Sequence, residues 1–311
     1  MIVLLGGLAA TPGSAQGFVV RNADPPGPTQ AETNTAKKQA AKTQDTQAKK
    51  PADASKPDTA KQGDPKGADK LQEPDNHPPS VTPSAPSITD TATLSAPGWI
   101  EFDLTGFKNL TRDRSIGTPS LIKLTAGNRR LQYRIATDGY IRLGDHSDGV
   151  GDTYLALQYL YKSQQTAGFD VAGRLTTKIP SGRRELGGTQ KFDAGGLLLA
   201  SRDFTKWQFH GDFNLGLSSL TRADAPGADY QLLAAASTTT PIRGGRWQYY
   251  NELVYFSPVQ GQRYRVTTMH GVTFAQHRYE VYSAAMQWQL HGDASTFQVL
   301  LSASFFAGKL F

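Results

Sequence analysis

Alternation is what most constrains this chain. In "WQFHGDFNLGLSSL", Trp207, Phe209, Gly211, Phe213, Leu215 and Leu217 occupy every second position. Gln208, His210, Asp212, Asn214 and Ser218 lie between them. Period two is the signature of a strand, whose side chains point to opposite faces in turn. "RRLQYRIATDGYIRLGD" sets Leu131, Tyr133, Ile135, Ile141 and Leu143 against Arg130, Gln132, Arg134, Asp138 and Arg142. "GFDVAGRLTTKIP" sets Phe169, Val171, Leu175 and Ile179 against Asp170, Arg174, Thr176 and Lys178.

Read through to the end, the pattern predicts twelve strands: 99–107, 118–126, 130–143, 152–162, 169–179, 191–201, 207–219, 230–240, 247–256, 264–275, 279–290 and 296–306. The eighth and tenth alternate weakly, which leaves ten and fourteen open. Their lengths approach the ~9–11 residues of a tilted membrane strand. No run comes near the ~18–20 apolar residues of a membrane-crossing helix. If this chain spans a membrane, it does so as an antiparallel up-and-down β-barrel over 98–311.

A soluble sandwich or lipocalin-like barrel would alternate too, and alternation cannot tell inside from outside. Three further signals favour the membrane barrel. Long connectors such as "KNLTRDRSIG" and "PSGRRELGGTQ" alternate with short ones such as "GNR" and "QHR". That asymmetry is the outer-membrane arrangement and puts both termini on the periplasmic side. The opening "MIVLLGGLAATPGSAQG" has a short apolar core and a small-residue triplet, so residues 1–15 read as a signal peptide, although a basic n-region is missing. The chain closes "TFQVLLSASFFAGKLF", a last stave ending on Phe311. Aromatics near strand ends (Trp99, Phe107, Tyr159, Tyr161, Phe169, Trp207, Trp247, Tyr249, Tyr255, Trp288) fit interfacial girdles.

Composition matters for what precedes the barrel. From Val19 to Gly98 there is no Phe, Tyr or Trp. Residues 16–97, rich in Ala, Lys, Thr, Pro, Asp and Gln, cannot bury enough apolar surface to offset chain entropy and read as a disordered periplasmic tail. It is a solvated linker on the plainer reading, a tether towards peptidoglycan or an inner-membrane partner on the sharper one. The tail is charge-neutral, so the formal +6 is spread thinly over the barrel, which argues against nucleic acid as a partner. With no cysteine, disulfides, thiolate metal sites and a Cys nucleophile are excluded.

"GVGDTYLALQYLY", "GFDVAGRLTTKIPSG", "QKFDAGGLLLASRDFTKWQFHGDFNLGL" and "WQYYNELVYF" together resemble the MetA-pathway of phenol degradation family of outer-membrane proteins. The matching pieces are Gly151-Asp152, Lys178-Ile179-Pro180-Ser181-Gly182, Phe192-Asp193-Ala194-Gly195-Gly196 and Glu252, within a resemblance covering roughly 99–311. It implies an outer-membrane channel or transporter for small aromatic or hydrophobic molecules. The final "SFFAGKLF" is similar to the C-terminal signal by which the barrel-assembly machinery recognises its clients, with Phe311 as insertion signal.

Catalysis finds little support. His146 and Ser147, the adjacent pair of triad-type residues, lie in "GDHSDGVGD", where Asp, Ser and Gly are expected for turn reasons. No metalloprotease, EF-hand or phosphate-loop pattern occurs, and no metal or cofactor is implied. The chemistry left is the polar face, which would line the pore: Arg134, Asp138, Arg142, Asp170, Arg174, Lys178, Asp193, Asp212, Glu252 and Gln287. Eight strands enclose a filled interior and sixteen an open channel, so twelve leave two readings standing. One is a constricted pore guiding a small solute. The other is a filled, non-transporting anchor that displays the tail in the periplasm.

Overall fold

The computed structural model describes residues 79–84, 87–111, 114–144, 147–183, 186, 191–221, 228–242, 246–259, 262–292 and 296–311. The expected signal peptide and the expected tail as far as residue 78 lie outside the described residues, as does His146. Twelve strands follow one another around a closed antiparallel barrel. They are β1 (Trp99–Asn109), β2 (Ser120–Thr125), β3 (Leu131–Thr137), β4 (Thr153–Lys162), β5 (Asp170–Ile179) and β6 (Asp193–Phe204), then β7 (Phe209–Thr221), β8 (Ala228–Pro241), β9 (Trp247–Phe256), β10 (Arg265–His277), β11 (Glu280–His291) and β12 (Phe297–Lys309). Each pairs with its sequence neighbour, and β12 closes on β1 from Trp99↔Lys309 to Asn109↔Gln298. The weakly alternating eighth and tenth strands are full staves, ladder-bonded on both edges.

Three short ladder segments, Ile116–Gly117, Tyr140–Arg142 and Asp148–Val150, extend β2, β3 and β4 beyond the wall at the long-loop rim. Their presence corrects one expectation. The alternation of 130–143 is not continuous: β3 stops at Thr137, and Gly139 turns the chain at φ +64°. Arg142 therefore pairs with Asp148 in the exposed extension and does not line the lumen.

The burial pattern is inside out relative to a soluble protein. On β5, Asp170, Ala172, Arg174, Thr176 and Lys178 are buried, while Leu175 between them is 70% exposed. Leu104, Leu157, Leu198, Leu215, Leu253 and Leu301 are likewise exposed on the outside of other staves. Every backbone group of a closed ladder is paired, so an apolar outer face meets lipid without unsatisfied amides. This is a transmembrane barrel. Aromatics gather at the short-turn rim, where Phe204 stacks on Phe209 at 4.5 Å, Trp247 lies 4.7 Å from Phe274 and Trp99 lies 5.5 Å from Phe306. Phe107 is an exception to the expected girdle. It is buried in the lumen with Tyr250, Met269, Ala285 and Leu300, because β1 turns its odd positions inward.

The larger correction concerns residues 79–97, expected as part of an unpacked tail. Described residues of this stretch lie inside the barrel: Ile88, Thr89, Asp90, Ala92 and Ser95 are 0–3% exposed. The segment enters at the short-turn rim, where the Val81 amide donates to Arg278 O at 2.9 Å. It climbs to mid-wall at Asp90 and returns to the same rim, where Gly98 N donates to Thr125 O at 3.0 Å. Composition misled because the usual argument for disorder counts apolar burial. Here the chain is ordered by polar contacts to a polar wall.

Gly98 turns the segment into β1 at φ +77°, and a Cβ there would lie 2.5 Å from Phe311 O. The chain terminus is thus packed over the pivot, with Leu310 N donating to Gly98 O at 2.7 Å.

Candidate functional site

The candidate site is the interface between this luminal segment and the barrel wall. Three groups of wall residues clasp it, each delivered by the inward parity of a different stave. On β1 and β2, Lys123 Nζ lies 2.8 Å from both Glu101 and Asp103 and also donates to Thr82 O. The two carboxylates in turn accept from Thr82 N at 3.0 Å and Ser84 N at 3.3 Å. On β3, β4 and β5, Gln158 Oε1 accepts from Arg134 Nη1 at 3.2 Å and Arg174 Nε at 2.9 Å. The two guanidiniums share Asp90 Oδ2, each at 2.6 Å. Across the lumen on β9, Glu252 accepts from Ser87 Oγ, from Ile88 N at 3.2 Å and from Thr89 N at 2.7 Å.

The returning limb is held by hydroxyls and amides. Asp90 N donates to Asn214 Oδ1 at 2.7 Å, Ala92 N to Ser201 Oγ at 2.7 Å, and Thr93 Oγ1 to Asp170 Oδ2 at 2.7 Å. Between Thr82 and Ser95, the described bonds that tie the segment to the wall all use a wall side chain or the segment's own hydroxyls and carboxylate. No ladder pairs these described residues to a stave. Charged and buried, these groups are stable only because each meets an opposite charge or a donor.

At the long-loop end a second cluster forms. Lys178 Nζ lies 2.7 Å from Asp193 and 3.7 Å from Asp152. Gly182 N donates to Asp152 Oδ1 at 2.8 Å, and a Cβ at Gly182 would stand 2.8 Å from Asp152 N. The Gly-Asp, Lys-to-Gly and Phe-Asp motifs singled out in the sequence thus converge on one latch. Asp138, beyond the end of β3 and outside the membrane-crossing ladders, accepts from Asp152 N at 3.1 Å and Tyr154 OH at 3.2 Å. Burial first, and then the neighbouring Asp152 carboxylate, push its carboxyl up to about 7.

Of the expected pore-lining residues, Arg134, Arg174, Asp170 and Glu252 meet the segment directly. Asp212 reaches it through Ser201, accepting from Ser201 Oγ at 2.6 Å. Lys178, Asp193 and Asp138 belong to the upper latch, and Gln287 is buried on β11 beside Gln298. Arg142 is outside. The expected lining left out Glu101, Asp103, Lys123, Gln158 and Asn214, although "WIEFDLTGF" and "SLIKLT" place the first three on inward positions and Asn214 falls on the polar parity of β7. It also missed Asp90, although Ser87, Thr89, Thr91, Thr93 and Ser95 alternate there with Ile88, Asp90, Ala92, Leu94 and Ala96.

Between the segment and the wall at the short-turn rim lies a cavity of about 750 Å³. Ser87, Thr89, Thr91 and Thr93 line one side. The other carries His210, bridged to Asp203 at 2.7 Å and Asp212 at 3.0 Å.

No protein-family model and no curated protein matches the chain. Solved outer-membrane barrels do. The COG4313 outer membrane channel from Pseudomonas putida F1 is 12% identical with a TM-score of 0.54, over 69% of this chain and 97% of that one. The KdgM porin is 8% identical with a TM-score of 0.47, over 66% and 98%. At 12% identity the likeness to the COG4313 channel is one of fold, and it agrees with the barrel built above.

Proposed function

We propose that the chain is an outer-membrane conduit for small molecules, held shut by its own residues 79–97 and opened when that segment withdraws towards the short-turn rim. The carrying observation is how the segment is attached. Between Thr82 and Ser95 it docks through side-chain clasps, so leaving the lumen breaks no ladder and leaves the barrel closed on itself. Resemblance to the phenol-degradation family supports a small aromatic or hydrophobic solute. The apolar part of the lining, with Leu121, Tyr154, Leu199 and Phe256 buried around Ile88 and Ala92, supports the same class. In this reading the short-turn rim faces the periplasm. Residues 16–78 would then reach peptidoglycan or an inner-membrane partner, and Phe311 would serve the assembly machinery as its signal.

A native chain without cysteine makes the test clean. Thr91 Oγ1 and Ser201 Oγ are 3.2 Å apart, near enough for cysteines at both positions to be bridged once their rotamers adjust. Oxidised Thr91→Cys/Ser201→Cys should be silent in planar bilayers. Reduction, or deletion of residues 82–95, should give discrete current steps. The filled lumen also favours a second reading, a non-transporting anchor. Silence from verified, folded barrel in all three states would leave that reading alone.

A further inference from the structure

The wall at Arg134 and Arg174 is built around a carboxylate. Two like-charged guanidiniums, each 1–2% exposed, are held side by side by one glutamine oxygen. Bringing two buried cations together is unfavourable unless an anion lies between them. Asp90 Oδ2 is that anion, and Ser84 Oγ donates to Oδ1 at 2.9 Å. Arg174 Nη1 has no hydrogen-bond partner among the described residues, so the pair holds a donor that Asp90 does not use.

Lys123 lies across from Arg134 on β2, and Gln132 and Thr176 flank the pair on its own staves; the remaining inward neighbours are apolar. Ala136 follows Arg134 on the inward face of β3, Ala156 precedes Gln158 on β4, and Ala172 precedes Arg174 on β5. All three belong to the buried cluster that includes Leu121 and Leu199. The segment's two residues in that cluster, Ile88 and Ala92, flank Asp90 by two positions on either side. The wall thus receives from its own chain a carboxylate set between two apolar groups.

We propose that the Arg134–Arg174 pair is a binding site for small organic carboxylates with an apolar body, and that Asp90 is its built-in occupant. The inference rests on the conduit reading for how such a molecule arrives. A solute carboxylate takes the place of Asp90 Oδ2 and uses the spare donor on Arg174 with its second oxygen. Its body lies where Ile88 and Ala92 packed. Solute and segment compete for one site, so the solute that passes is also the one that favours the open lumen.

Benzoate and its neutral isostere benzamide are the probes, with full-length protein in detergent and calorimetric binding as readout. Asp90→Ala vacates the pair and should bind benzoate about tenfold or more tightly than wild type does, the scale of one charge-assisted hydrogen bond. Benzamide should bind weakly to both. Adding Arg134→Gln and Arg174→Gln should abolish the gain. If Asp90→Ala does not assemble, refolding it with benzoate should restore the heat-modifiable barrel and benzamide should not. Equal binding of the two probes to Asp90→Ala, or rescue by neither, overturns the proposal. Binding does not depend on current. Tight benzoate binding with silent bilayers would sink the conduit and keep the site, and currents without benzoate binding would do the reverse.

Discussion

Glu252 is where the segment's attachment can be measured. Its carboxylate accepts from one hydroxyl and two backbone amides of Ser87, Ile88 and Thr89, all from the luminal segment. Glu252→Leu keeps the stave and removes the acceptor. A hydrogen bond to a charged group contributes about 1.5–3 kcal/mol, but three bonds to one acceptor are not additive and water re-solvates some of the loss. A net loss of about 3 kcal/mol is the working figure, which is roughly a hundredfold in the open fraction of the segment. Amide exchange reads that fraction residue by residue. Exchange at Ile88, Thr89 and Asp90 should accelerate by about two orders of magnitude in the variant, while the ladder amides of β3 to β5 keep their rates. Unchanged exchange at Ile88 and Thr89 would mean that Glu252 does not hold the segment. Acceleration spread equally over the staves would mean that it supports the wall instead.

Two further expectations test the surroundings. Leu175→Arg puts a charge on the lipid face beside inward Arg174, and should cost about 2–4 kcal/mol in the folding equilibrium in lipid if the position is near mid-bilayer; a neutral result would refute the assignment of faces. Asp138 has a folded value raised above its unfolded one, so its contribution is complete in acid and is lost as pH rises through about 7. Wild type should then lose thermal stability between about pH 5 and about pH 8, and Asp138→Asn should not; parallel declines would place the dependence elsewhere.

The barrel was legible because lipid and lumen impose opposite chemistry on alternate residues. "VAGRLTTK" spells out β5 as plainly as its burial does. The eighth strand, "ADYQLLAAASTTTP", was fainter because Ala, Ser and Thr on its inward face differ little in polarity from their outward neighbours. Parity brought the luminal charges to the correct side except at Arg142, where a glycine turn interrupts the stave. The occupied lumen was not legible. "SVTPSAPSITDTATLSAP" alternates over its second half but has few apolar residues, and its order depends on partners far along the chain: Glu252 lies 163 residues beyond Thr89. Only the folded wall brings those partners within reach.

The luminal segment begins and ends at one rim, anchored at Gly98, and this has a mechanical consequence. A chain that passed through the barrel would be threaded, and removing it would require drawing a free end through the ring. This one is a doubled-back excursion, so the ring can close before the segment docks, and the segment can leave without the ring reopening. Tension applied upstream of Val81 would load the clasps in series, Thr82 and Ser84 first, then Ser87 to Thr89, then Asp90. Contacts broken in succession yield at far lower force than contacts sheared together. Gly98 would remain as the hinge on which the slackened chain returns.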